Sequence, residues 1–195
     1  MLIQTKLSSY NIILGSASPR RKELFSQFGL EFSVLTLDIE ETFPVNLSNE
    51  QIAMYLARLK ADNFKFNELP PNTLLITADT IVCFNNEIMN KPADHNEAIS
   101  MLTLLSGNRH EVITGICIRT AAKIHCFYDL TEVYFNALSA QEIDYYINNY
   151  KPFDKAGAYG IQEWIGNIAI QRIDGSYTNV VGLPTQKLYS ELLAF

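Results

Sequence analysis

Three things are scarce in this 195-residue chain: cysteine, charge and long apolar runs. Only 18% of the residues are charged and 48% are apolar, a composition that excludes an intrinsically disordered chain and supports one substantial core. No stretch approaches about 18 consecutive apolar residues, so we predict no membrane-spanning helix and no membrane partner. The N-terminal segment MLIQTKLSSYNIILGS has one lysine and no long apolar part, which is unlike a secretion signal.

The three cysteines, Cys83, Cys117 and Cys126, are scattered in apolar contexts. They have no CxxC spacing, so neither a zinc site nor a disulfide framework is predicted. We expect all three to be buried thiols in a reducing compartment, and therefore a cytoplasmic protein.

Basic residues are in the minority, with 15 Lys and Arg against 21 Asp and Glu, which gives a net charge of −6. This acidic balance argues against nonspecific binding to nucleic acid. The sequence contains no Walker A, GxSxG or HExxH pattern. It therefore has none of the motifs that would indicate a P-loop enzyme, a serine hydrolase or a zinc peptidase. The run Arg20, Arg21 and Lys22 is therefore a local basic cluster, and a small anionic ligand suits it better than a long polyanion.

The sequence does contain an alternation of strand and helix patterns. The predicted strands are residues 11–16, 32–37, 74–83, 110–119, 124–136 and 167–173. The predicted helices are residues 19–28, 48–64, 94–107 and 139–149, and a last one from about 184. This order predicts an α/β fold with an extended mixed sheet flanked by helices. No repeat or linker interrupts it, so residues 1–195 are predicted to form a single domain.

The first candidate site is the segment SASPRRK, where an apolar strand passes into a helix that begins at the proline. Ser16 and Ser18 lie in the turn, and either could cap the helix. Cations at a helix N-terminus cost a few tenths to about 1 kcal/mol each. A bound phosphate would reverse that penalty by accepting hydrogen bonds from the helix N–H groups and from Arg20 and Arg21. The alternative is a surface helix whose cations face water or pair with Glu23.

Two acidic segments are candidates for proton transfer or metal binding. Asp79 lies in TADT, at the end of an apolar run, where an aspartate can accept a proton from water or hold a metal. The alternative is a turn aspartate that bonds its own backbone. The segment DIEET brings together Asp38, Glu40 and Glu41, and such oxygen ligands suit Mg²⁺ or Mn²⁺. A solvated acidic loop is the alternative there.

Isolated lysines and a glycine-containing loop complete the set of candidates. Lys60, Lys91 and Lys155 are each typical of surface lysines, but with the arginines they could neutralise phosphate oxygens and the charge that develops in phosphoryl transfer. The loop DKAGAYGIQ contains Tyr159 and Gln162, which could stack on or hydrogen-bond a base. A plain loop is the alternative.

These segments together resemble a known family. SASPRRKELF, DIEET, LARLKA, TADTIV, NKP, LSGNRHEVITGI, DKAGAYGIQ and GSYTNVVGLP follow one another in the order found in the Maf family of nucleoside triphosphate pyrophosphatases. The resemblance runs from about residue 12 to the C-terminus. It implies a Maf/inosine-triphosphatase-like α/β fold with two lobes and a central cleft. It also implies a reaction in which a nucleoside triphosphate and water give the monophosphate and pyrophosphate.

The resemblance further implies roles for individual residues. Asp79 would accept the proton of the attacking water, bind a divalent cation (Mg²⁺ or Mn²⁺) together with Glu41, or do both. The residues expected to bind the substrate are Ser16, Arg20, Arg21, Lys60, Lys91 and Lys155. Maf proteins are also associated with arrest of septum formation, so the alternative function is a nucleotide-sensing regulatory protein. The resemblance is compatible with a homodimer.

Three residues indicate the subtype. Arg20, Thr80 and Gln162 match the pattern of the members that hydrolyse dTTP and UTP, and modified pyrimidine nucleotides are further expected substrates. The chain departs from the family at Glu163, where many relatives have glycine. A bulky acidic residue beside the base-binding loop could narrow or redirect nucleotide choice. Glu40 also replaces the more usual aspartate, which is a mild change.

Overall fold

The computed structural model describes residues 2–195, which form seven β-strands, eight α-helices and three short 3₁₀-helices. The strands are β1 (Asn11–Leu14), β2 (Ser33–Val34), β3 (Thr73–Phe84), β4 (Glu87–Met89), β5 (Arg109–Arg119), β6 (Ile124–Phe135) and β7 (Ile170–Asp174). The α-helices are α1 (Ile3–Lys6), α2 (Pro19–Ser26), α3 (Asn49–Asp62), α4 (His95–Leu105), α5 (Ala140–Tyr150), α6 (Trp164–Ala169), α7 (Tyr177–Val181) and α8 (Thr185–Ala194). The 3₁₀-helices are Phe66–Glu68, Pro152–Asp154 and Ala156–Ala158.

The strands form one mixed sheet in the order β2-β1-β3-β5-β6-β7, and β4 pairs with β3. β1 runs parallel to both β2 and β3, whereas β4 and β7 pair with their neighbours antiparallel. β5 and β6 form a hairpin in which Thr120 N–H donates to the Lys123 carbonyl at 2.8 Å and Phe135 N–H donates to the Asn108 carbonyl at 3.0 Å. The prediction of a mixed sheet flanked by helices is therefore confirmed.

The chain divides into two compact units, each with its own apolar core. Unit 1 contains the chain up to Asp79, together with Thr114–Asp129 and Gly182–Phe195, and unit 2 contains Thr80–Ile113 and Leu130–Val181. A core cluster of unit 1 contains Ile13, Ala57, Ala61, Phe64, Leu75 and Cys117. The core of unit 2 is built mainly from α4, α5, β6 and the segment around Tyr159.

The helix starts lie where local sequence signals predict them. Ser18 caps α2 by accepting a hydrogen bond from the Arg21 N–H, and Pro19 is the first helical residue. Ser48 and Ser139 open α3 and α5 with complete capping boxes. In each box the serine hydroxyl accepts a hydrogen bond from the N–H of the third helical residue, and the side chain of that residue accepts one from the serine N–H. These starts need only residues that are close in sequence, which is why they can be predicted.

Two strand predictions are wrong in extent. The predicted strand 32–37 is reduced to Ser33–Val34, because its partner β1 ends at Leu14 and leaves nothing to pair with beyond that point. Residues 167–169 belong to helix α6, and the strand begins only at Ile170. The helix forms because Ile165 and Ala169, four residues apart, are both buried on one of its faces.

Helix α3 lies unusually close to the sheet at Gly115. A Cβ atom added there would lie 2.1 Å from the Ala53 carbonyl oxygen and 2.5 Å from the Met54 nitrogen. These are backbone atoms, so the helix itself would have to move to make room. Glycine at position 115 therefore sets the distance between α3 and β5.

Gly115→Ala is expected to lower the free energy of unfolding by about 2–3 kcal/mol, as overpacking of a rigid contact does. Denaturant unfolding followed by circular dichroism would measure it. Gly29→Ala is the control: its Cβ would meet nothing closer than 3.5 Å, but its φ is +64°. That backbone strain alone costs about 1 kcal/mol. Equal losses for the two variants would contradict the close approach at Gly115.

Among the helices formed by residues 2–195, none has the length and apolarity needed to cross a bilayer.

Candidate active site

Asp79 lies at an interior position of a strand, in agreement with the predicted strand 74–83, although the apolar run that precedes it ends there. It is the seventh residue of β3, and the strand continues to Phe84. The strand end near Asp79 is that of β1, which runs parallel to β3 and whose last residue, Leu14, is paired with Ile76. The chain leaves the sheet at Gly15, so the carboxyl end of β1 lies next to the segment that carries Asp79. Ligands of α/β proteins commonly bind at such parallel-strand ends.

Asp79 is joined to two other predicted site residues by one ammonium group. Lys60 Nζ lies 2.5 Å from Asp79 Oδ1 and 2.7 Å from Glu41 Oε1. The Asp79 side chain is only 8% exposed, whereas that of Glu41 is 41% exposed. Because the three residues lie far apart in the sequence, only the fold brings them together.

Helix α3 is fixed in the position that makes this contact possible. The Thr77 hydroxyl of β3 is fully buried and donates a hydrogen bond of 2.6 Å to the Ala57 carbonyl of α3. Lys60 follows Ala57 by three residues, almost one helical turn, so both residues lie on the face of α3 that packs against β3. The buried carboxylate of Asp79 is compensated by this ammonium, as a charge of low solvent exposure requires. As a carboxylate, Asp79 can accept a proton or bind a cation.

Arg21 connects three segments of unit 1. Its Nε donates to the Gly182 carbonyl at 2.8 Å, and its Nη1 donates to the Ala78 carbonyl at 2.8 Å and to Ser16 Oγ at 3.4 Å. Burial lowers the pKa of the Arg21 guanidinium, and the Asp79 carboxylate opposes that shift. An arginine stays protonated under such conditions, so a positive charge lies beside Ala78 and Asp79.

The remaining residues of the first candidate site lie at the start of α2. Ser16 is 8% exposed, and its hydroxyl accepts a hydrogen bond from the Ser18 N–H at 3.3 Å. Arg20 is half-buried in the first turn, and its charge also lowers the pKa of Arg21. The predicted cluster of a serine and two arginines at a helix N-terminus is thus present in unit 1, although Arg21 contacts backbone carbonyls of this chain.

The other predicted site residues belong to unit 2. Thr80 follows Asp79 on β3 and is half-buried, while Lys91 and Gln162 are exposed. Lys155 is buried. Within the described part of unit 2, no hydrogen bond or ion pair joins Lys91 or Gln162 to Lys155. The roles of these four residues in substrate binding and specificity stay predictions.

Lys155 and Glu163 form a network that the sequence does not reveal. The Lys155 ammonium lies 2.7 Å from Asp154 Oδ1 and 3.1 Å from Glu163 Oε1. The Tyr146 hydroxyl donates a short hydrogen bond to Glu163 and accepts one of 3.0 Å from the Gly160 N–H. Burial and the Glu163 carboxylate both raise the pKa of Tyr146, so the phenol stays protonated and acts as this donor.

This network explains what Glu163 does in the structure. Its side chain is only 19% exposed and is engaged with Lys155 and Tyr146. Tyr146 was missed by the sequence analysis, although the spacing of Ile143, Tyr146 and Ile147 is typical of the buried face of a helix, as α5 shows. The network fixes the backbone at Gly160, directly before the loop end that carries Gln162.

Glu163→Ala is expected to lower the free energy of unfolding by about 2–3 kcal/mol, because it removes the acceptor of a buried hydroxyl and one partner of a buried ammonium. Thermal or denaturant unfolding would measure the loss. Asp154→Asn is the matched control, since it alters the 61% exposed partner of the same ammonium. An exposed partner contributes at most about 1 kcal/mol. A larger loss for Asp154→Asn than for Glu163→Ala would contradict this description of the network.

The thiols are less uniform than predicted. Cys83 and Cys117 are buried, but Cys126 is only half-buried. It lies on β6, whose residues alternate between buried and more exposed positions along most of the strand. The prediction of three buried thiols is therefore wrong for Cys126.

Within residues 2–195, no three His, Cys, Asp or Glu side chains are grouped so that they could hold a metal ion. The two carboxylates of Glu41 and Asp79 converge on one cation, the Lys60 ammonium. Magnesium is usually bound through one or two carboxylates together with substrate phosphates. The pair therefore fits a divalent cation that a phosphate ligand would complete.

Comparison with known proteins gives matches along nearly the whole chain. A dTTP/UTP pyrophosphatase of Flavobacterium psychrophilum is 51% identical over 98% of this chain and 98% of its own length. A dTTP/UTP pyrophosphatase of Phocaeicola vulgatus is 53% identical over 95% of this chain and 96% of its own. One of Porphyromonas gingivalis is 49% identical over 97% and 96%.

Among solved structures, that of the Staphylococcus aureus Ham1 protein aligns with 94% of this chain and 98% of its own, with 18% identity and a TM-score of 0.48. The family assignment rests on the sequence matches instead. A family model described as Maf-like protein matches residues 11–195, which is nearly the whole chain. With this match and relatives about half identical over their full length, the chain belongs to the Maf family.

Proposed function

We propose that this protein hydrolyses dTTP and UTP to the nucleoside monophosphate and pyrophosphate. The observation that carries the proposal is the 51% identity, over 98% of both chains, with a protein named dTTP/UTP pyrophosphatase. Because the alignment covers 98% of the relative, the relative has no further domain, outside the aligned part, that could carry its activity. The contact of Lys60 with both Glu41 and Asp79 supplies the charged groups that phosphoanhydride hydrolysis needs.

In this proposal each site residue of unit 1 has a separate role in substrate binding or in hydrolysis. Ser16, Arg20 and the N–H groups at the start of α2 bind phosphate oxygens, because a helix N-terminus and a guanidinium both attract anions. Arg21 holds that helix start against β3 through its bonds to backbone carbonyls and contributes its charge. Asp79 accepts the proton of the water that attacks the α-phosphorus. Lys60 offsets the negative charge that develops on the leaving pyrophosphate.

We further propose that Glu41 and Asp79 hold a divalent cation, Mg²⁺ or Mn²⁺. Both carboxylates already contact one positive charge, so their placement suits a cation. When bound, the ion would neutralise phosphate oxygens and so favour attack on phosphorus. Lys60 would then turn its ammonium from the carboxylates to the substrate, which its long flexible side chain permits.

Specificity for pyrimidine nucleotides is assigned to Arg20, Thr80 and Gln162, and phosphate or pyrophosphate contacts to Lys91 and Lys155. The exposure of Lys91 and Gln162 is compatible with contact to a bound nucleotide. The proposal extends to modified pyrimidine nucleotides, to a cytoplasmic location and to a homodimer. Activity against such nucleotides, cell fractionation and size-exclusion chromatography would check these three points.

The test is pyrophosphate release by the purified protein with Mg²⁺ or Mn²⁺ from dTTP, UTP, CTP, GTP, ATP and 7-methyl-GTP. Release mainly from dTTP and UTP, lost on chelation of the metal, is the expected result. Release mainly from another nucleotide would overturn the specificity assigned to Arg20, Thr80 and Gln162. Nucleotide binding without release from any substrate would overturn the enzyme and favour a nucleotide-sensing regulatory protein.

A further inference from the structure

The β5–β6 hairpin places two cysteines opposite each other in unit 1. The hairpin closes at Thr120, whose N–H donates to the Lys123 carbonyl, and counting back along both strands from this pair brings Cys117 opposite Cys126. Both side chains pack against the same apolar cluster, so they lie on the same face of the sheet. The two thiols share a hydrogen bond with each other. The two thiol groups therefore lie within hydrogen-bonding reach of each other.

The position in the ladder brings the two backbones close together. Hydrogen-bonded and non-hydrogen-bonded pairs alternate along antiparallel strands, and Cys117–Cys126 is three steps from the hydrogen-bonded Thr120–Lys123 pair. It is therefore a non-hydrogen-bonded pair, with Cα atoms about 4.5 Å apart. Disulfides span Cα separations of about 4.4–6.8 Å. A disulfide can thus form here with little movement of either strand, but at the short end of the allowed range.

The two thiols differ in access and in acidity. Cys117 is completely buried, whereas Cys126 is half-buried. The pKa of the Cys126 thiol is lowered, chiefly by the hydrogen bond from Cys117; Arg58 and Arg119 act in the same direction, whereas burial and the Asp62 carboxylate oppose the shift. The same hydrogen bond and burial raise the pKa of Cys117. A reagent in solution would therefore meet Cys126 first, and as the better thiolate.

We propose that Cys117 and Cys126 form a reversible redox site that closes to an intramolecular disulfide by exchange with a small-molecule disulfide. The Cys126 thiolate attacks one sulfur of the reagent, forms a mixed disulfide and releases the first thiolate. Cys117 then loses its proton and attacks the Cys126 sulfur, which releases the second thiolate. The protein loses two electrons and two protons, and the reagent is reduced to two thiols.

The bond can open again by the same exchange. A small-molecule thiolate attacks the half-buried Cys126 sulfur and releases the Cys117 thiolate, and a second thiolate then releases Cys126 as the reagent disulfide forms. The site is therefore a dithiol when small-molecule thiols are in excess and a disulfide when their oxidised form is in excess. This inference does not depend on the proposed function, because its readout is the state of the sulfur atoms.

The test uses the full-length protein with oxidised glutathione, followed by denaturation, alkylation of free thiols and mass spectrometry. The expected product is about 2 Da lighter than the dithiol before alkylation, takes up one alkyl group in place of three, and yields a Cys117–Cys126 cross-linked peptide. Dithiothreitol should restore three alkylated thiols. If all three thiols are alkylated after exposure to excess oxidised glutathione, the proposal is wrong.

Single substitutions test the order of the two steps. Cys117→Ser should stop at the mixed disulfide on Cys126, while Cys126→Ser should form neither product. Cys83→Ser, a control in the other unit, should form the disulfide as the unsubstituted chain does. A mixed disulfide on Cys117 in the Cys126→Ser variant would overturn the assignment of Cys126 as the attacking thiol. Circular dichroism would verify that each variant is folded. Whether the disulfide forms at all is tested on the unsubstituted protein, so a variant that fails to fold does not affect that result.

Discussion

Asp79→Asn is expected to lower kcat for pyrophosphate release by about 10²–10⁴-fold, the usual contribution of a general base. Asparagine has nearly the same shape as aspartate, so the strand and the hydrogen bond from Lys60 can be kept while the ability to accept a proton is lost. The neighbouring Glu41 carboxylate contacts the same ammonium but is 41% exposed, whereas the Asp79 side chain is 8% exposed, so the two carboxylates have different surroundings. Initial rates with dTTP and UTP at saturating metal would measure the effect.

The control for this prediction is Asp144→Asn, which makes the same chemical change at a carboxylate that is 59% exposed. It should leave kcat unchanged. A second measurement, the affinity for Mn²⁺ in the absence of nucleotide, separates two roles of Asp79. Unchanged affinity in Asp79→Asn indicates a base alone, whereas weakened affinity indicates a metal ligand. Turnover of Asp79→Asn at the unsubstituted rate would exclude both roles.

Arg21→Ala is expected to lower the free energy of unfolding by about 3 kcal/mol, because hydrogen bonds from a charged group contribute about 1.5–3 kcal/mol each. Two bonds of 2.8 Å, to the Gly182 and Ala78 carbonyls, are lost, and the group is half-buried, so the lower end of that range applies to each. The substitution also separates the start of α2 from β3, so activity should fall together with stability. Chemical denaturation and initial rates, measured on the same preparation, would test both effects.

Lys22→Ala is the matched control, because it removes the next cation of the same helix turn at an exposed position. Exposed substitutions of this kind change stability by about 0.5 kcal/mol or less. Arg21→Lys adds a further comparison, since an ammonium keeps the charge but lacks the planar fork that bonds three acceptors at once. If Arg21→Ala is as stable as Lys22→Ala, Arg21 does not hold the segments together and its role is limited to the ligand.

The comparison of sequence and structure shows which predictions depend on local interactions. Ser48 and Ser139 open their helices as predicted, and Ser18 is the one of the two candidate serines that caps α2, because a cap needs only the residues of the first helical turn. The turn at Asn85 and Asn86 joins β3 to β4 with φ values of 50° and 67°, a conformation that asparagine tolerates better than most residues. The strand predicted over 32–37 is too long because its extent depended on a distant partner strand, and the strand predicted from 167 starts too early because burial of Ile165 and Ala169 favours a helix there.

The candidate site follows the same division. The sequence by itself determined the types of residue, the helix start that carries Ser16 and Arg20, and the resemblance to the Maf family that the full-length matches bear out. It could not determine that Lys60 contacts both Glu41 and Asp79, since the three lie on separate elements.

Other contacts were decided only by the tertiary structure. Arg21 bonds to Gly182, Glu163 engages Tyr146 and Lys155, and Cys117 lies opposite Cys126. Each of these contacts depends on strand register or on the packing of a helix against the sheet. Those are set by the burial of apolar side chains from the whole chain, so no local pattern of residues encodes them.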